Sequence, residues 1–302
     1  MTEARFDGRV AVITGSGRGL GRAYAELLAS KGAKIVVNDP GSSIKGDAII
    51  EDPAQEVVDA IKAAGGEAVV NRDSVATPEG GKAIIETAMD TWGRIDVLIH
   101  NAGNVRYGAL DEISFEDFKA VIDVHFMGAF NVVRPAFPLM KAAGYGRVVL
   151  TSSIGGVYGN AGVVNYGMSK SGMIGLSNII GIEGADHGIK SNLILPGAVT
   201  RMAESVDTSQ FPPMGPELVA PMVGWLVHES CSVSGEIYAA VGGRMGRVYV
   251  AEAEGVYKPH WTIEEIGENI AAIRDPGETP WVLAPVPAGF GEHLGRSFGV
   301  GR

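Results

Sequence analysis

Short apolar runs recur along the chain, most ending on a polar residue and followed by apolar positions at helical spacing. Residues 9–14, 34–39, 67–71, 96–100, 147–151, 189–195 and 236–241 form seven such runs and predict seven strands. Between them, a helix is predicted through Leu20, Tyr24, Leu27 and Leu28, ending at Lys31-Gly32. Asp52-Pro53 and Thr77-Pro78 each place a capping side chain before a proline and open helices to residues 64 and 92. Longer helical patterns cover 114–143, with a break expected at Pro135 and Pro138, then 165–185 and 217–228. Strands that alternate with helices imply βαβ units and a parallel sheet covered on both faces. Val97-Leu98-Ile99 and Val148-Val149-Leu150 are apolar without alternation, as in strands buried on both sides.

This α/β, doubly wound pattern has no linker, so residues 1–245 are expected to form one domain. Residues 246–302 are expected to form an extension that covers the core or a neighbouring subunit. It has one predicted helix, 262–274, opened by the capping box Thr262-Ile263-Glu264-Glu265. Residues 275–302 are rich in proline and glycine and are expected to lie extended.

Composition removes several function classes. The net charge is −10 with no basic cluster, so nucleic acid is not an expected partner. No run approaches the roughly 20 apolar residues of a membrane span, and the first residues lack the apolar core of a secretory signal. A lone cysteine, Cys231, rules out an internal disulfide and suits a reducing, cytoplasmic setting. The six histidines are scattered without metal-ligand spacing, so no metal site is expected.

Two clusters carry chemistry. Thr14-Gly15-Ser16-Gly17-Arg18-Gly19-Leu20-Gly21 lies between the first strand and first helix. There, glycines let the backbone approach a pyrophosphate at a helix N-terminus. Asp39 ends the second strand, 24 residues after Gly15. A carboxylate at that point binds ribose hydroxyls and repels a 2′-phosphate, favouring NAD over NADP. Arg18 pulls the other way, since a cation in the loop can pair with that phosphate. Asp73 is a candidate for the adenine amino group or for a turn.

The second cluster is Tyr166 and Lys170, four apart on a predicted helix and so on one face, with Ser153 thirteen residues upstream. A cation beside a phenol favours ionisation and is expected to lower the tyrosine's pKa toward a working acid–base range. Ser152 is the rival to Ser153 for holding a substrate oxygen.

With these motifs in their order, residues 8 to about 245 resemble the short-chain dehydrogenase/reductase family. Asn101-Ala102-Gly103 after the fourth strand and Pro196-Gly197 after the sixth add to the resemblance. It implies a seven-stranded order 3-2-1-4-5-6-7, a homodimer or homotetramer, and a secondary alcohol oxidised with NAD. In that reading Tyr166 is the general base. Lys170 lowers its pKa and binds the nicotinamide ribose, and Ser153 holds the developing carbonyl. The implied cofactor set adds Ser74, Asn101, Ala102, Gly103, Pro196, Gly197 and Thr200 to the loop residues Gly15, Arg18, Gly19, Leu20 and Gly21, with Asp39 and Asp73. A non-catalytic NAD-binding sensor would need no such serine, tyrosine and lysine together.

A narrower similarity is to the (3R)-hydroxyacyl-CoA dehydrogenase part of peroxisomal multifunctional enzymes of type 2. It rests on Val37-Asn38-Asp39, residues 71–75, Tyr158-Gly159-Asn160, residues 196–202 and residues 225–231. It implies a (3R)-3-hydroxyacyl-CoA substrate; a hydroxysteroid or another secondary alcohol is the alternative. The segment from Pro196 to Glu217, with Met202, Val206, Phe211, Pro212 and Met214, is read either as a substrate lid or as a surface loop. Arg106, Arg201, Arg244 and Arg247 are scattered candidates for a CoA phosphate. Two positions depart from the wider family. His100 replaces the first asparagine of Asn-Asn-Ala-Gly, and His125 replaces the asparagine that anchors a proton-relay water. His125 is read either as part of the relay or as a core histidine.

Overall fold

The structure is a computed structural model that describes residues 3–43, 52–200 and 213–297. Two compact units divide it, residues 1–247 and 248–302.

In the first unit the strands are β1 (Val10–Thr14), β2 (Lys34–Asn38), β3 (Glu67–Asn71), β4 (Val97–His100), β5 (Gly146–Thr151), β6 (Ile189–Gly197), β7 (Ile237–Val241) and β8 (Arg244–Val248). They lie in the order β3-β2-β1-β4-β5-β6-β7-β8, and β1 to β7 pair in parallel. Every residue of β1, β4 and β5 is buried, which explains their lack of alternation.

The eighth strand is an addition to the expected seven. Gly242 and Gly243 both have positive φ, 53° and 82°. A two-residue hairpin needs that backbone, so the chain turns straight back along the sheet edge.

Helices α1 (Gly19–Ser30), α2 (Pro53–Ala63) and α8 (Ala220–Val227) pack together on the sheet, with Tyr24, Leu28, Val223 and Leu226 in the core between them. Helices α3 (Pro78–Trp92), α4 (Phe115–Ile122), α5 (Gly128–Ala143) and α7 (Val164–Gly184) form a second packed group. The short α6 (Ile154–Tyr158) sits on α7.

The predicted 114–143 helix does break, but not at its prolines. Pro135 and Pro138 lie inside a continuous α5. The break is a π-helical turn over Asp123–Met127, with His125 at its centre. Such turns widen the backbone and occur frequently at functional sites.

In the second unit, β9 (Ala251–Glu252) pairs antiparallel with β10 (Trp281–Val282). The capping box opens α9 (Ile263–Arg274) as expected. The remainder is not simply extended, because α10 (Gly289–Ser297) follows β10. Trp281 stacks on His293 of α10 at 6.2 Å, and the Arg296 guanidinium lies 4.5 Å from the indole ring centre. These contacts hold a helix whose sequence, with three glycines in it or at its ends, carries little helical signal.

Candidate active site

Polar residues close the carboxyl ends of otherwise apolar strands: Thr14, Asn38, Asn71, His100 and Thr151. Register places Thr14 beside Asn38 and His100, and Asn38 beside Asn71. Strand order reverses at β1, where doubly wound sheets open a crevice. A cavity of about 380 Å³ lies there, lined by the glycine loop, Asp39, Ser74, Asn101 to Asn104, Arg106 and Thr200 among others.

The loop residues fit a dinucleotide. Gly15 and Gly19 have positive φ, 62° and 53°, and a Cβ on Gly21 would lie 2.3 Å from the Gly15 carbonyl oxygen. Glycine is therefore required on both sides of the turn. Asn101 Nδ2 donates to that same carbonyl at 3.0 Å, which ties the Asn-Ala-Gly segment to the loop. Asp39 accepts from Gly17 N–H at 3.1 Å and from Gly41 N–H at 2.9 Å, so its carboxylate is fixed at the cavity wall. Arg18 also lines this cavity.

Asp73 is tied to the ends of β2 and β3. Its carboxylate accepts from Asn71 Nδ2 at 2.7 Å and its carbonyl from Asn38 Nδ2 at 2.9 Å, while neighbouring Ser74 faces the cavity. Pro196 and Gly197 end β6, and Gly197 packs so closely on Val241 that an added Cβ would sit at 2.7 Å. Of the proposed lid, Met202, Val206, Phe211 and Pro212 lie outside the described residues, as does Arg201.

Beyond β5, Ser153 N-caps α6, accepting from Gly155 N–H at 3.1 Å. A Cβ on Gly156 would meet Lys170 Cβ at 2.6 Å, so this glycine lets α6 press onto α7. That approach sets Ser153 beside Tyr166: a Cβ on Gly155 would lie 3.6 Å from Ser153 Oγ and 3.8 Å from the Tyr166 ring. Ser152 is separated from the chemistry: buried, it donates to the Lys170 carbonyl at 2.7 Å.

Lys170 Nζ lies 5.4 Å from the Tyr166 ring centre and donates to the Thr151 carbonyl at 2.5 Å. The expected lowering of the phenol's pKa is not what this geometry gives. Burial pushes Tyr166 above its ordinary value, with the Ser153 hydroxyl opposing and Tyr107 adding to the rise. Burial also draws Lys170 down to about 7. Loss of hydration penalises whichever form is charged, so it acts on both members of the pair.

His125 is buried beside them, its ring edge-on to Tyr166 at 5.3 Å. Burial first, then the Lys170 charge, holds it well below its ordinary pKa, hence neutral. Its Nε2 lies 3.0 Å from the Asn104 N–H and 2.8 Å from the Asn104 carbonyl. Nε2 can accept from the first or donate to the second, so both neutral tautomers keep a partner there. Its Nδ1 is buried with no hydrogen-bond partner among the described residues. Asn104 was not among the sequence-derived site residues. Its contribution is through the backbone, which side-chain identity does not reveal.

Among the described residues no helix is long and apolar enough to cross a membrane. The short chain dehydrogenase family model matches residues 9–210. Peroxisomal multifunctional enzyme type 2 of Drosophila melanogaster is 45% identical over 252 residues, covering 83% of this chain and 42% of that protein. The chain thus spans less than half the length of that relative. A crystal structure of a short chain dehydrogenase from Mycobacterium avium superposes with a TM-score of 0.79 at 37% identity, covering 91% of this chain and 97% of that one. The full-length Drosophila enzyme gives 0.81 at 36% identity, covering 98% of this chain and 50% of that one. These matches establish that the chain belongs to the short-chain dehydrogenase family of nicotinamide-dependent oxidoreductases.

Proposed function

We propose that this protein interconverts (3R)-3-hydroxyacyl-CoA and 3-oxoacyl-CoA with NAD. The observation that carries the chemistry is the convergence of Ser153, Tyr166 and Lys170 at the end of β5, beside the glycine-loop cavity. When bound, the nicotinamide ring supplies the hydride acceptor. Gly15, Arg18, Gly19, Leu20 and Gly21 hold the pyrophosphate end, and Asp39 holds the adenosine ribose. The fixed Asp39 carboxylate would repel a 2′-phosphate, which favours NAD. Asn101, Ala102, Gly103 and Thr200 complete the cofactor wall, and Lys170 serves the nicotinamide ribose.

Tyr166 takes the hydroxyl proton of the alcohol, or returns it to the developing alkoxide in the reverse direction. Its raised pKa keeps the phenol protonated at neutral pH, which suits the reverse direction. Ser153 orients the substrate oxygen toward that phenol. His125, neutral and edge-on to Tyr166, stands in the proton route. A positioned acid–base group contributes about 10²–10⁴-fold.

The acyl-CoA assignment is supported by the 45% identity to the Drosophila multifunctional enzyme. We further propose a homodimer or homotetramer in the cytoplasm, to be checked by light scattering and fractionation. The substrate test follows NADH formation with paired (3R)- and (3S)-hydroxyacyl-CoAs of graded length. Turnover of the (3R) series alone is expected. Turnover of free alcohols with neither enantiomer reacting overturns the substrate while leaving the reaction type intact.

A further inference from the structure

We infer that His100 is a positioning residue for the reaction: through one oriented hydrogen-bond chain it fixes the backbone of His125 and so holds that ring against Tyr166. This rests on the dehydrogenase reading of the site.

The chain's direction follows from its donors. The Thr14 hydroxyl oxygen accepts from Asn101 N–H and from Ala102 N–H, each at 3.1 Å. Both acceptor positions of that oxygen are then used, so its proton points to the remaining partner, His100 Nδ1, at 3.0 Å. With Nδ1 accepting, the ring proton sits on Nε2. That nitrogen lies 3.1 Å from the carbonyl oxygen of His125, which only accepts. Each link therefore demands the next: loop amides to Thr14, Thr14 to His100, His100 to the π-helical turn.

Packing adds to the constraint. Thr14, His100 and His125 are all buried. A Cβ on Gly128, just after the turn, would lie 3.3 Å from the His100 ring, and one on Gly103 would lie 2.4 Å from the His125 ring. Each imidazole thus fills space that a facing glycine leaves open. His100 holds the backbone of residue 125 while Asn104 holds its side chain, so neither half of that residue is free to turn. Burial draws His100 down to about 3, so the neutral form the chain needs persists across the working pH range.

The direct test is made on the wild-type protein. Long-range ¹⁵N–¹H spectra of histidine-labelled protein should show His100 protonated at Nε2 and bare at Nδ1. A proton on Nδ1 overturns the chain, whatever the enzyme does. The kinetic test uses His100→Phe, which keeps the ring and removes both nitrogens, and His100→Gln, whose amide retains an acceptor and a donor. His100→Phe should lower kcat about tenfold, the factor for one lost positioning hydrogen bond, with the KM for NAD little changed. His100→Gln should recover part of that loss. Because His100 acts through His125, adding His100→Phe to His125→Ala should cost no further kcat. Losses that multiply, or an unchanged kcat in folded His100→Phe, refute the positioning role. A Tyr166→Phe control that keeps full turnover would instead refute the dehydrogenase site itself.

Discussion

Lys170 is buried, with no carboxylate partner among the described residues, and its replacement by methionine should stabilise the protein while removing activity. The unfolded chain holds the ammonium proton up to about 10.5, whereas the folded protein releases it near 7. Between those values the unfolded state binds more protons, so unfolding free energy rises with pH. The span of about 3.5 units is worth ~5 kcal/mol at 1.36 kcal/mol per unit, an upper bound on what holding the charged lysine costs. Against this stands the hydrogen bond to the Thr151 carbonyl, worth ~1.5–3 kcal/mol as a bond to a charged donor. Lys170→Met loses the bond and also the burial cost, so a net gain of up to ~2–3 kcal/mol is expected at pH 7. Methionine nearly matches the lysine stem in volume, which limits any cavity. The assay is denaturant unfolding of both proteins, without added cofactor, from pH 6 to pH 10. Wild type should gain stability as pH rises from 7, and the variant should lack that component. Parallel curves, or a variant less stable at every pH, would refute the claim that burial dominates this lysine.

Two further substitutions separate neighbouring roles. Ser153→Ala should lower kcat by roughly 10²-fold or more, whereas Ser152→Ala should leave turnover near wild type and cost ~1 kcal/mol of stability through its lost bond to the Lys170 carbonyl; steady-state kinetics with thermal melts distinguishes them. Asp39→Ala should weaken NAD binding and raise the NADP-to-NAD ratio of kcat/KM; an unchanged ratio would mean that Asp39 serves the loop alone.

Much of the parallel sheet was legible because strand identity here depends on burial. Val97-Leu98-Ile99 and Val148-Val149-Leu150 are apolar on both faces, and the polar residues closing several runs mark the functional edge. The glycine loop was legible for a related reason, since close backbone approach restricts residue type most severely. Other features depend on contacts distant in sequence. The π-helical turn at Asp123–Met127 forms where His100 reaches across from β4, and nothing within residues 114–143 announces it. Pro135 and Pro138 drew attention as local breakers, yet α5 runs through both. Gly242-Gly243 was a readable hairpin signal, but the chain looked finished after seven strands. The electrostatics of Tyr166 and Lys170 went the other way from expectation because spacing gives proximity but not burial. Desolvation is set by the whole cleft, including α6 held close by Gly156.

The central claim is that Tyr166 is the proton-transfer group of an alcohol dehydrogenase, oriented by Ser153 and Lys170. Tyr166→Phe keeps the ring and removes only the hydroxyl. NAD affinity, read by fluorescence titration, should match wild type, while NADH formation from the (3R)-hydroxyacyl-CoA that wild type oxidises should fall about 10²–10⁴-fold. Equal turnover in the two proteins, at equal NAD affinity, would contradict it.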